Sequence, residues 1–137
     1  MTDYLTAAEV LAIHADQIAR YGGSSGVRDP GLLDAALFRP QSGHYADLIE
    51  EAAALWESLS QNHPFLDGNK RTAFAAMVTF LAINGARLTA DAREACAFVT
   101  ALYETDRFRF ETLVPWLCSH VGPYPPLDPA QGIRRSD

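Results

Sequence analysis

The chain has 137 residues, 48% of them hydrophobic and 20% charged, with a formal net charge of −6. That length predicts one domain able to bury about two thirds of its unfolded surface without a disulfide or metal to hold the core. The acidic balance argues against direct binding to nucleic acid or to an anionic membrane, whose phosphates demand a basic face. The N-terminus, MTDYLTAAEV, shows neither a basic region nor a long apolar run, and no secretion signal is visible in it. The uncharged run from Thr72 to Ala86 covers 15 residues, short of the ~20 that a bilayer span needs. We therefore expect a cytoplasmic protein without a membrane helix. Cys96 and Cys118 lie on apolar stretches and read as reduced core residues.

In chain order, Thr6-Ala7-Ala8-Glu9 is a capping-box pattern that predicts a first helix to about Arg20. Val10, Ile13, His14, Gln17 and Ile18 lie along one side of it. The loop Tyr21 to Gly26 ends it. Asp29-Pro30 reads as N-cap plus first position of a short second helix carrying Leu32, Leu33, Ala36 and Leu37. A loop over 39–45 follows, and Leu48, Ala52, Leu55 and Leu59 then predict a surface helix over 46–61.

Residues 62–68 read as a loop, because Pro64 biases His63 away from helical geometry and Gly68 permits a left-handed backbone. A helix begins near Asn69 and stops at Asn84-Gly85. Apolar on every side, it is predicted to be the central helix with the others packed around it. Asp91 with Glu94 caps a further helix to Tyr103. Phe110 to His120 forms another, which Pro115 should kink or shorten. No segment alternates like a strand, so the fold class is all-α, with a domain over 1–121 and a Pro-rich, flexible tail over 122–137.

The chemistry concentrates in His63-Pro64-Phe65-Leu66-Asp67-Gly68-Asn69-Lys70-Arg71. A helix starting at Asn69 points unpaired N–H groups and the positive end of its dipole at the loop, which makes an anion site. Gly68 lets an anion approach the backbone, and Lys70 and Arg71 add charge where the dipole disfavours it. A local rule broken in this way points to function. The chain's basic residues are ten arginines and one lysine, Lys70. A movable ammonium beside a flat guanidinium suits phosphate. Asp67 is either a Mg²⁺ ligand shared with phosphate oxygens or a helix-capping side chain. His63 is either a general base or a buried imidazole bonded to backbone, and its polar neighbours favour the base. Phe65 should point inward and anchor the loop. The stretch is not a P-loop, since the earlier glycine, the Lys-Ser/Thr pair and the preceding strand are missing.

These residues resemble the signature of the Fic/Doc family, His-x-Phe-x-(Asp/Glu)-Gly-Asn-Gly-Arg followed three residues later by a second arginine. His63, Phe65, Asp67, Gly68, Asn69 and Arg71 match it. Lys70 replaces the second glycine and Phe74 the second arginine, and both departures are similar to the death-on-curing (Doc) branch. The segments YLTAAEVLAIH, VRDPGLLDAAL with RPQ, and TFLAING are also similar to that branch, so the likeness covers about residues 4–121.

The resemblance implies a compact all-α domain around a buried central helix. It implies transfer of part of ATP to a protein hydroxyl, with His63 as base, Asp67 holding Mg²⁺, and Gly68, Asn69, Lys70 and Arg71 cradling phosphate. Fic enzymes transfer AMP, whereas Doc phosphorylates a threonine of elongation factor Tu and arrests growth. The altered cradle favours phosphoryl transfer. Protein adenylylation and a catalytically silent binding module are the alternatives. None of the seven glutamates precedes Gly or Asn, as the family's inhibitory helix requires. Restraint should therefore come from outside, as from a Phd-type antitoxin. His14 reads as a core or antitoxin-groove residue, His44 and Tyr45 as loop residues, and Trp56 and Trp116 as packing.

Overall fold

The computed structural model describes residues 1–125. Most of its helices start on a side chain that caps the first turn. Thr6 Oγ1 accepts the Glu9 N–H at 3.2 Å, and the Thr6 N–H donates back to Glu9 Oε1 at 2.8 Å, opening α1 (Ala7–Tyr21). Asp29 Oδ1 takes the Leu32 N–H, with Pro30 at the first position of α2 (Pro30–Phe38). A 3-10 turn over Arg39–Gln41 follows. Asp47 Oδ1 takes the Glu50 N–H and opens α3 (Leu48–Gln61), two residues later than predicted. α4 (Asn69–Ile83) starts on Gly68, whose φ is +74, with no capping side chain. Asp91 and Glu94 form a second capping box for α5 (Ala92–Glu104). α6 (Phe110–His120) runs through Pro115 without being shortened. The one hydrogen bond that Pro115 forgoes would have gone to the carbonyl of Glu111, an exposed residue.

The core lies between α3 and α4. Leu55, Trp56 and Leu59 from α3 and Ala73, Ala76, Met77, Phe80 and Leu81 from α4 are fully buried. Each large side chain contributes on the order of 1.5–3 kcal/mol. α3 is not the surface helix expected from its pattern. Ala52, Ala53, Ala54, Ser58 and Ser60 are buried as well, because α4, α6, α2 and the 3-10 turn all pack on it. Alanine and serine carry little weight in an amphipathic pattern, yet their small size lets several helices approach at once. Trp56 sits within this packing, edge-on to Phe74 and Phe108 at centroid distances of 5.7 and 5.4 Å.

α4 is central, but not covered on every side. Phe74, Ala75, Val78 and Thr79 face a groove of about 1140 Å³ bounded by α1 and α5. A small sheet, absent from the sequence expectation, pairs β1 (Ala86–Leu88) antiparallel with β2 (Val121–Pro123) and ties the end of α6 to the exit of α4. Strands of three residues are too short to show alternation. β2 takes in Gly122 and Pro123, the first residues of the expected tail, while residues 126–137 of that tail lie outside the described residues. Cys96 and Cys118 are free thiols as expected, but both are exposed rather than in the core. No helix among the described residues is long and apolar enough to cross a membrane.

Candidate active site

The loop from Asn62 to Gly68 has nearly every main-chain carbonyl engaged. Arg28 donates from Nη2 to Asn62 O at 2.9 Å and from Nε to His63 O at 2.6 Å. The N–H groups of Arg28 and Asp29 both reach Pro64 O, at 2.7 and 3.0 Å. Asn69 Nδ2 donates to Phe65 O at 3.0 Å while Asn69 Oδ1 accepts the Phe65 N–H at 2.9 Å. His14 Nε2 lies 2.8 Å from Asp67 O, and the Thr72 N–H closes on Gly68 O at 2.9 Å. The Leu66 N–H donates to Gly26 O, beside an antiparallel bridge between Val27 and Phe65. Acceptors that would repel an anion are thus taken up by protein donors, and the N-terminal end of α4 keeps its positive character.

Buried side chains hold this backbone in place. Phe65 points inward as predicted, 1% exposed. Its ring stacks on His14 with centroids 3.9 Å apart and planes at 6°. His14 is therefore the buried, backbone-bonded histidine that His63 might have been. His63 is exposed, and its ring makes no hydrogen bond among the described residues. Its main chain has φ +51 rather than the extended geometry expected before Pro64. For a residue with a side chain this costs about 1 kcal/mol.

Asp67 is exposed and does not cap the first turn of α4. Its Oδ1 accepts the Gly68 N–H at 2.8 Å and its Oδ2 the Ser24 N–H at 3.1 Å. These two N–H groups, Ser24 foremost, hold its carboxyl below the usual range. Each oxygen retains a lone pair for another partner. Gly23 permits the approach of Ser24, since a Cβ there would lie 2.6 Å from Asp67 Oδ2.

Gly68 is required by its protein neighbours. A Cβ there would meet Ile18 Cδ1 at 3.1 Å and Arg71 Nη2 at 3.2 Å. Arg71 donates to Gly22 O at 2.9 Å and lies by the Tyr21 ring. Lys70 turns the other way, its Nζ 4.3 Å from the centroid of Tyr103. The two cations therefore flank the helix end, and the side chain of Asn69 bonds the loop through both its amide oxygen and its amide nitrogen. Lys70 and His63 also line a small polar cavity of about 90 Å³ with Tyr103 and Asp106.

No local signal in the chain marks the use of Arg28, Gly23 or Ser24. They arrive from the segment between α1 and α2, and the Arg28 fork reaches carbonyls 34 and 35 positions further on. The spacing puts His14 on the inward side of α1, but its bond to Asp67 is not legible there.

A helical domain whose central helix carries a histidine-led loop on its uncapped N-terminus defines the class. A family model described as the Fic/DOC family matches residues 4–81. Over 96 residues, 66% of this chain and 72% of the relative, the sequence is 53% identical to "Toxin Doc" of Mycolicibacterium smegmatis. Over 89 residues, 62% of this chain and 71% of the relative, it is 35% identical to "Protein kinase doc" of Escherichia phage P1. The chain belongs to the Fic/Doc family, and these relatives put it with the Doc branch.

Proposed function

We propose that the chain is the toxin of a toxin–antitoxin pair and transfers the γ-phosphoryl group of ATP to a protein hydroxyl, with a threonine of elongation factor Tu as the expected acceptor. The observation that carries this reading is the exposed, unbonded imidazole of His63 beside the bare N-terminus of α4. In the proposed step, His63 accepts the proton of the target hydroxyl. That oxygen bonds to the γ-phosphorus, the bond from phosphorus to the bridging oxygen breaks, and ADP leaves. The first N–H groups of α4, with Lys70 and Arg71 on either side, would hold the phosphates by charge and position.

Asp67 suits Mg²⁺, because an exposed carboxylate kept ionised, with a lone pair left on each oxygen, matches a cation held by one carboxylate and phosphate oxygens. When bound, Mg²⁺ would neutralise phosphate charge. Phosphoryl transfer is favoured over AMP transfer because Phe74 packs edge-on against Trp56 and brings no second cation to the phosphates.

The antitoxin partner, expected to be of the Phd type, fits the groove between α1, α4 and α5. Ile13, Phe74, Val78 and Val99 offer an apolar floor, and Lys70 and Arg71 stand at its edge. That form suits one face of an amphipathic helix.

Incubation with elongation factor Tu and ATP labelled at the α or the γ position tests the reaction. Label from γ is expected, and His63→Ala should reduce its transfer at least ~100-fold. Label from α would replace the kinase reading with adenylylation. No label on any acceptor would favour the silent module, and full activity of His63→Ala would remove the base.

A further inference from the structure

We propose that Arg28 is a positioning residue for His63, its guanidinium holding the main chain of the base in the conformation that presents the imidazole. This rests on the reading of His63 as the base.

Three observations converge on it. First, the His63 ring has no hydrogen bond of its own among the described residues, so its direction is set by its backbone. Second, that backbone is left-handed, at φ +51, immediately before a proline that favours an extended residue. Left alone, residue 63 would relax toward the extended region and swing its side chain away. Third, residues 28 and 29 place four donors on three consecutive carbonyls. Arg28 Nη2 and Nε take Asn62 O and His63 O, and the N–H groups of Arg28 and Asp29 take Pro64 O. The side-chain pair straddles the end of α3, where Asn62 is the C-cap and the last carbonyls concentrate negative charge. A flat fork can serve two adjacent acceptors at once, whereas a lysine offers a single point of charge.

The main-chain bonds to Pro64 O survive substitution of the Arg28 side chain, so the loop should stay docked while residue 63 is released. In the full-length chain, Arg28→Gln should therefore shift the Cα and Cβ resonances of His63 from left-handed toward extended values, with the dispersion of the other amides retained. It should lower kcat for transfer at least ~tenfold, in keeping with the sensitivity of such reactions to small misplacements, and leave KM for ATP within about twofold. Arg28→Lys should recover part of kcat. The proposal is overturned if the His63 resonances stay in place in Arg28→Gln. It is also overturned if kcat is retained, or if KM for ATP rises as far as kcat falls. His63→Ala, assayed alongside, separates the two ideas. Activity surviving in that variant removes the base itself, whereas a dead His63→Ala beside a fully active Arg28→Gln removes only the positioning role.

Discussion

Gly68→Ala tests whether the start of α4 is as tightly specified as its geometry implies. Residue 68 has φ +74, and a side chain in that region costs about 1–2 kcal/mol. The added Cβ would also sit 3.1 Å from Ile18 Cδ1 and 3.2 Å from Arg71 Nη2, closer than the ~3.5–4.0 Å of an unstrained contact. The isoleucine methyl can rotate. Arg71 is held by its bond to Gly22 O, and losing that bond adds about 1 kcal/mol. Gly85→Ala is the internal control, since φ is +80 there but nothing lies within 4 Å of the new Cβ. We expect urea unfolding to show a loss of ~2–3 kcal/mol for Gly68→Ala and ~1–2 kcal/mol for Gly85→Ala. Both variants stay folded against a total stability of ~5–15 kcal/mol. Calorimetric titration should show ATP binding weakened about tenfold only in Gly68→Ala, where Arg71 and the first turn are displaced. Equal losses in the two variants, with ATP affinity unchanged, would refute the reasoning.

Asp67→Asn should weaken ATP binding about tenfold in the presence of Mg²⁺ and little in EDTA; an equal loss in both conditions would remove the metal role. The same carboxylate gives a pH signature. The Ser24 and Gly68 N–H groups lower its folded pKa, so its contribution to stability is present above the unfolded value of ~3.9 and is lost as pH falls through the folded value. Urea midpoints taken from pH 5 downward should then fall more steeply in the wild type than in Asp67→Asn, and parallel curves would contradict this. Burial pushes the Tyr103 hydroxyl up, so its contribution is present below ~10 and is lost as pH rises through the folded value. Tyr103→Phe should flatten the alkaline arm of the stability curve, and an unchanged arm would count against it. On the groove floor, Val78→Glu should abolish capture of the antitoxin while leaving label transfer within about twofold, because Val78 lies about two turns along α4 from Lys70. Undiminished capture would move the partner elsewhere.

Much of the fold was legible because its signals are local. Thr6 with Glu9, Asp29 with Pro30, and Asp91 with Glu94 each act within one helical turn, and all three open helices where expected. Asn84-Gly85 likewise ends α4. The motif loop and the start at Asn69 could be read from Pro64 and Gly68. What escaped depends on distant contacts. The burial of α3 comes from Ala52, Ala53 and Ala54, whose size matters only once neighbouring helices are in place. The exposure of Cys96 and Cys118 reflects which side of α5 and α6 meets the core. The contacts that Gly68 and Asn69 make with the protein also escaped. Each residue faces the protein as a neighbour of Ile18, Arg71 or Phe65, and none of those pairings follows from the nine-residue string alone.

The starts of the helices supply an internal comparison for the site. Elsewhere, a side-chain oxygen takes an N–H of the first turn: Thr6 in α1, Asp29 in α2, Asp47 in α3, Asp91 in α5, and Glu57 Oε2 on the Phe110 N–H in α6. At α4 no side chain does so, although Asp67 is one residue away from the cap and aspartate is among the best caps. The carboxylate is diverted instead, one oxygen to Gly68 and the other to Ser24. Such a diversion forgoes on the order of 1 kcal/mol of capping, and Lys70 and Arg71 oppose the dipole at the same end. A helix selected for stability alone would let Asp67 reach the first turn. Leaving those donors open while nearly every loop carbonyl is engaged makes sense when an anion from solution completes the turn. The same arrangement keeps a carboxylate and an unbonded imidazole at its edge.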